Sequence, residues 1–213
     1  KFHSQGNISE AAKYYQYFID QGFKDHRVFS NYGLLLRDLK KLKEAELLTR
    51  KAIDIKPDFF EAYSNLGNIF KDLGNLKEAE LTQRKAIEIQ PNNAESHYNL
   101  GNILNELGKL KEAESSLRRA IEIKSDYLDA HLNLGIVLKD IGDLNEAELI
   151  TRKAIKIQPN SANAHLNLGN ILKDIGNIQE AELATRKAIE LKPNFAEAHL
   201  NLGMILIGLE KFK

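Results

Sequence analysis

The stretch "AHLNLGNILKDIGN", residues 164–177, puts Asn167 and Gly169 in the middle of a run whose leucines follow helical spacing. Both residue types weaken a helix, glycine by roughly 1 kcal/mol against alanine, so some demand other than local propensity sets them there. The same phrase returns around Gly33, Gly67, Gly101, Gly135 and Gly203 at steps of 34 residues. Alanines keep this step in two more columns: Ala11, Ala45, Ala79, Ala113, Ala147 and Ala181, then Ala52, Ala86, Ala120, Ala154 and Ala188. A repeat of this length is one supersecondary unit that needs neighbours to bury its apolar face. The chain therefore divides into a partial leading unit (1–25, mainly a second helix), full units at 26–59, 60–93, 94–127, 128–161 and 162–195, and a partial sixth (196–213) that supplies a first helix. These are expected to stack as one continuous solenoid.

Within a unit the pattern is two helices and two stops. In residues 94–127, Leu100, Ile103, Leu104 and Leu107 mark a first helix that Gly108 ends in the left-handed manner open to glycine. A second helix runs from about Leu110 to Ile123. Capping boxes are expected at Asn75 with Glu78, Asp143 with Glu146 and Asn177 with Glu180, and before the first helices at Asp58 with Glu61, Asn92 with Glu95 and Asn194 with Glu197. Pro57, Pro91, Pro159 and Pro193 precede those first-helix caps and stop the previous helix, with Ser125 in the remaining place. A first-helix glycine facing a second-helix alanine would let two backbones approach closely, so a bulky residue at Gly101 is expected to cost several kcal/mol through overpacking.

Composition narrows the function. The 213 residues carry 30 basic and 30 acidic side chains, so nothing in the net charge favours nucleic acid or an anionic membrane as partner. The chain has no cysteine, which excludes disulfides and thiolate zinc sites and suits a reducing cytoplasm. No apolar run approaches the roughly 18 residues of a membrane span, and "KFHSQGNISE" is not a signal peptide. The first residue is not Met and both ends break in mid-unit, so the chain is expected to be a segment of a longer protein.

The 34-residue period, two helices, "NLGN", "EAE", "RKAIEI" and terminal proline resemble the tetratricopeptide repeat over essentially the whole chain. The resemblance implies an all-α solenoid of antiparallel helix hairpins wound into a right-handed superhelix, with first helices on the concave side and proteins or peptides as partners. Two departures stand out. Thr49, Gln83, Leu117, Thr151 and Thr185 occupy the place where the family usually carries an aromatic, and Glu46, Glu80, Glu114, Glu148 and Glu182 stand where an aliphatic is usual. Each of these glutamates lies four residues before an arginine, the favourable orientation for a helical ion pair, which suits a solvated stripe or a convex interface.

The asparagine of the opening phrase belongs to a column: Asn31, Asn65, Asn99, Asn133, Asn167 and Asn201, each two residues before the glycine. A primary amide offers an acceptor and two donors, so it can hold both polar groups of a peptide bond whatever the side chain. First helices spaced about 8–10 Å apart would meet every third residue of an extended chain advancing about 3.3 Å per residue. Asn68, Asn102 and Asn170, one place after the glycine, are further candidates, though Leu34, Ile136 and Met204 break that series. The array is similar to the repeats of O-linked N-acetylglucosamine transferases, whose inner asparagine ladder grips protein substrates, and that resemblance carries over to these groove residues alone. The competing reading has the amides bonding one another or a neighbouring helix and only stiffening the array. Lys71 with Asp72, Lys139 with Asp140 and Lys173 with Asp174 fall at the groove edge or on solvated surface.

Other readings are weaker. His97, His131, His165 and His199 are in phase with Phe29 and Tyr63, which points to packing, and neighbouring repeats set the rings too far apart to share a metal. No nucleophile, base and orienting acid converge, and no phosphate-cradling loop is present, so neither enzyme activity nor a cofactor is expected of this chain. A carboxylate clamp of inner lysines and arginines is missing, since only Arg27 is basic there. Two further alternatives are a substrate-recognition arm of a larger transferase and a structural array self-associating through its ends, with Tyr14, Tyr15, Tyr17 and Phe18 at one and Ile205, Leu206 and Phe212 at the other.

Overall fold

The computed structural model describes residues 8–210, which form twelve α-helices and no strand. The chain parts into two compact units, residues 1–107 and 108–213. The first holds α1 (Ile8–Asp20), α2 (His26–Asp38), α3 (Leu42–Ile55), α4 (Phe60–Asp72), α5 (Leu76–Ile89) and α6 (Ala94–Glu106). The second holds α7 (Leu110–Ile123), α8 (Leu128–Ile141), α9 (Leu144–Ile157), α10 (Ala162–Ile175), α11 (Ile178–Leu191) and α12 (Ala196–Glu210). Among the described residues no helix is long and apolar enough to cross a membrane. Phe212 lies outside them.

Each unit is a stack of hairpins. In the first, α2 packs on α3 and α4 on α5, while the first helices α2, α4 and α6 adjoin in turn; in the second, α8 pairs with α9, α10 with α11, and α8, α10 and α12 adjoin. The core follows the apolar columns. Phe29, Leu35 and Leu36 of α2 meet Ala45, Leu48 and Ala52 of α3 and Ala62 and Ile69 of α4. In the second unit Leu168 and Leu172 of α10 meet Ala181 and Ala184 of α11 and Ile205 of α12. Such burial, worth about 25 cal/mol per Å² of apolar surface, carries most of the stability of short helices.

The recurring glycine makes this pairing possible: it faces the carbonyl of the expected alanine and, closer still, the side chain four residues further on. A methyl on Gly67 would sit 2.6 Å from Gln83 Oε1 and 3.5 Å from the Ala79 carbonyl, and one on Gly135 would sit 2.5 Å from Thr151 Oγ1. Gly33 and Gly169 meet Thr49 and Thr185 in the same way. The glycine thus makes room for the side chain standing where the family usually carries an aromatic. Thr49, Gln83, Leu117, Thr151 and Thr185 are all fully buried. The Thr49 and Thr185 hydroxyls donate to the Ala45 and Ala181 carbonyls at 2.8 Å, and the Gln83 amide donates to the Ser96 carbonyl at 3.3 Å. Gly203 has no atom within 4 Å of its would-be methyl among the described residues.

The first helices end as the spacing implies. Gly74, Gly108, Gly142 and Gly176 have φ between 72° and 97°, and the next amide bonds back five residues, as from Asn75 to Phe70 and from Asn177 to Leu172, both at 2.9 Å. Lys40 holds the same place at φ 61°. The starts are corrected. First helices are capped one residue later than expected, at Phe59, Asn93 and Tyr127, so Asp58 and Asn92 stand outside the cap, as does Asn194, which lies two residues before Ala196. Asn93 accepts from the Ser96 amide, whereas Phe59 and Tyr127 have no side chain able to cap. Of the second-helix boxes, Asp143 accepts from the Glu146 amide at 3.3 Å; Asn75 and Asn177 cap no amide, and Asn177 donates to the Glu180 carboxylate instead.

Candidate peptide-binding groove

The asparagine column lies on the first helices, which adjoin within each unit, but its members are not equivalent. Asn31 on α2 is exposed. Asn65 on α4 donates at 3.0 Å to the Ser30 hydroxyl of α2, the preceding first helix. Asn99 on α6 has a buried amide nitrogen without a partner among the described residues. Asn201 on α12 is 2 % exposed and held from two sides, donating to Thr185 Oγ1 and accepting from the Lys173 ammonium, both at 3.1 Å. Asn133 and Asn102 are engaged as well. Asn68 on α4 is half-buried, as are Asn167 and Asn170 on α10; these three make no hydrogen bond among the described residues.

Asn167 and Asn170 share a cleft of about 190 Å³ in the second unit. Ile136 and Ile171 give it an apolar lining, and Lys139 and Asp140 of α8 and Glu197 of α12 stand around it. Within each unit, ion pairs run from one first helix to the next. The expected pairing of Lys71 with Asp72 inside one helix is corrected: Lys71 reaches Glu106 of α6 at 3.5 Å, and Asp72 takes Arg37 of α2 at 2.7 Å. Lys139 bonds both its neighbour Asp140, at 3.4 Å, and Asp174 of α10, at 3.9 Å. The missed signal was an offset of one repeat plus one residue, which sets opposite charges side by side on adjacent helices.

The second helices carry the glutamate–arginine series. All five pairs form, from Glu46–Arg50 at 3.1 Å to Glu182–Arg186 at 2.8 Å. Arg118 also bonds Glu146 of α9 at 2.6 Å, and Arg152 bonds Glu180 of α11 at 2.5 Å, so these guanidiniums tie successive second helices together. Burial pushes the Glu114 carboxyl up, but bonds from Arg118 and Lys111 outweigh it and hold the group below its ordinary range. A chelating bond from Arg27 holds the Asp25 carboxyl well below the usual carboxylate range. The in-phase histidines fasten turns. A ring nitrogen (Nε2) of His97, His165 and His199 bonds the carbonyl of Pro91, Pro159 and Pro193 at 2.8–2.9 Å. His131, whose unit has Ser125 in the proline place, turns its other nitrogen to the Tyr127 carbonyl at 3.0 Å.

Comparison with known proteins agrees with this architecture. Family models described as tetratricopeptide repeat match residues 4–58, 58–126, 92–160 and 162–195. No curated protein sequence is significantly similar to the chain. Among solved structures the chain is similar to YrrB, described as a TPR protein with an unusual peptide-binding site, at 27 % identity over 88 % of this chain and 96 % of that one, with a TM-score of 0.71. It is similar to MamA at 25 % identity over 81 % and 94 %, also with a TM-score of 0.71. For Pseudomonas aeruginosa pilF the figures are 20 % identity, 88 % and 91 % coverage and a TM-score of 0.71, a likeness of fold. With helix hairpins repeating every 34 residues and family models matching nearly end to end, the chain belongs to the tetratricopeptide repeat family, an all-α solenoid class of protein-interaction scaffolds.

Proposed function

We propose that this chain binds extended polypeptide along its first-helix face, through amides of the asparagine column that the protein leaves uncommitted. The observation that carries the reading is the α8–α10–α12 cleft, where Asn167 and Asn170 stand together on one face of α10 over isoleucines. A peptide bond crossing this floor would find a carboxamide donor and acceptor, while its side chains meet Ile136 and Ile171. Asn31 and Asn68 offer uncommitted amides in the first unit. The peptide-binding description of YrrB supports the same reading.

Asn65 and Asn201 favour the stiffening role at their own positions, because each is bonded to another helix. The column then divides its labour: some rungs hold the scaffold and others face the client. Substitution separates the two. Asn167→Ala should weaken binding of peptides selected from an array by about tenfold, as loss of one to two hydrogen bonds does, and leave the unfolding midpoint in place. Asn201→Ala should cost about 1–2 kcal/mol of stability, because it strands Thr185 and Lys173. Loss of stability in the Asn167 variant with undiminished binding would overturn the reading.

A further inference from the structure

A second depression lies away from the asparagine column, on the first unit, between the consecutive second helices α3 and α5. It encloses about 380 Å³. Tyr63, Leu66 and Phe70 of α4 form its floor, and Ile53 of α3 and Leu81 of α5 its walls. Leu81 is 70 % exposed, like Leu149 and Leu183 at its place in the second unit, and so offers an apolar contact beside the hollow.

In the second unit the corresponding consecutive second helices are bridged by ion pairs. There Arg118 reaches from α7 to Glu146 of α9, and Arg152 from α9 to Glu180 of α11. The matching residues here are Arg50 and Glu78, and they do not meet. Arg50 instead lies 5.3 Å from the centre of the Phe70 ring while still bonded to Glu46. In the place of Phe70, α8 and α10 carry Leu138 and Leu172, which have no π face to hold a guanidinium. The Glu78 carboxylate, exposed one turn before Leu81 and Thr82 on α5, is therefore left without a cation among the described residues, as is that of Asp54, which lines the hollow. Lys85, the other cation lining the hollow, is held by Glu88 at 2.7 Å.

We propose that this outer hollow of the first unit docks an amphipathic helix whose leucine enters between Ile53 and Leu81 and whose arginine takes Glu78. The partner supplies the guanidinium that the second unit supplies from its own chain. A helix laid between two parallel ridges is a recurrent recognition mode, and the uncompensated carboxylates select a basic flank over an acidic one.

The test uses a synthetic amphipathic helix of about 15 residues, leucines on one face and arginines flanking them, and the same helix with glutamate for arginine. Titration calorimetry with side-chain methyl NMR should show the arginine peptide binding with shifts at Leu81 and Ile53, and the glutamate peptide at least about tenfold weaker. Leu81→Lys, at an exposed position, should weaken the arginine peptide by about tenfold or more. Glu78→Gln should bring the two peptides' affinities together. Equal binding of both peptides by the unaltered chain, unchanged affinity in the Leu81 variant, or loss of binding in Asn167→Ala would overturn the proposal. So would concentration-dependent dimerisation that Leu81→Lys abolishes, which would assign the hollow to a second copy of the chain.

Discussion

Lys40 occupies the place that glycine holds after α4, α6, α8 and α10, with φ 61°. The left-handed conformation costs an L-residue about 1–2 kcal/mol, part of which glycine returns through its freer unfolded chain. Lys40→Gly should therefore raise stability by about 0.5–1 kcal/mol, read as a higher urea midpoint at unchanged slope; a lower midpoint would mean that the lysine side chain contributes something its exposed position hides. This residue also shows what local pattern could not reveal. Glycine at 74, 108, 142 and 176 announced the stop, and at position 40 the register of the repeat announced it in spite of the residue. The asparagines are the converse case. Their column was legible as a column, but whether each amide is spent depends on Ser30, Thr185 and Lys173, which reach it only through the folded packing of other helices.

Helix pairing rests on the close approach at glycine, and the neighbour decides what a methyl there would cost. At Gly67 the obstructing atom is the far end of Gln83, a flexible side chain; at Gly135 it is the hydroxyl of Thr151, which sits on a branched Cβ and cannot swing clear without rotating the whole group. Gly135→Ala should lose about 1–2 kcal/mol through overpacking, whereas Gly67→Ala should be near neutral once the helix propensity gained, roughly 1 kcal/mol, is counted. Thermal melts of the two variants side by side check the order, and equal losses would contradict it. Helix existence and length were readable from spacing. The alanine facing each glycine was readable too, but the threonine or glutamine that comes nearest was not, because periodicity says which face meets which and not which atom on that face lies closest. The caps were misplaced by one residue for a related reason: polar residues near a helix start attract the assignment, yet backbone geometry puts Phe59 and Tyr127 at the cap.

Across the whole chain acid stability follows from the carboxylates held in their charged form. Asp25 and Glu114 both titrate lower folded than unfolded, so the unfolded chain binds more protons at mildly acid pH. Their contribution is complete above the ordinary carboxylate range, near pH 4, and is lost as pH falls through the lower folded values. Urea midpoints should hold steady from neutrality to about pH 5 and decline below it; replacing Glu114 with Gln should flatten part of that decline, and a profile unchanged by the substitution would remove Glu114 from the account. The repeated design was the most legible feature, since in-register copies average out local ambiguity. The division at residues 107 and 108 was not, because the repeat pattern runs through it without a break. One departure from sameness has a spectroscopic use. A carbonyl only accepts, so His97, His165 and His199 must carry their proton on Nε2, while His131 carries it on Nδ1. Imidazole nitrogen shifts should therefore sort these four rings into two tautomers, giving the turn without proline a signal of its own by which its opening can be followed separately from the rest.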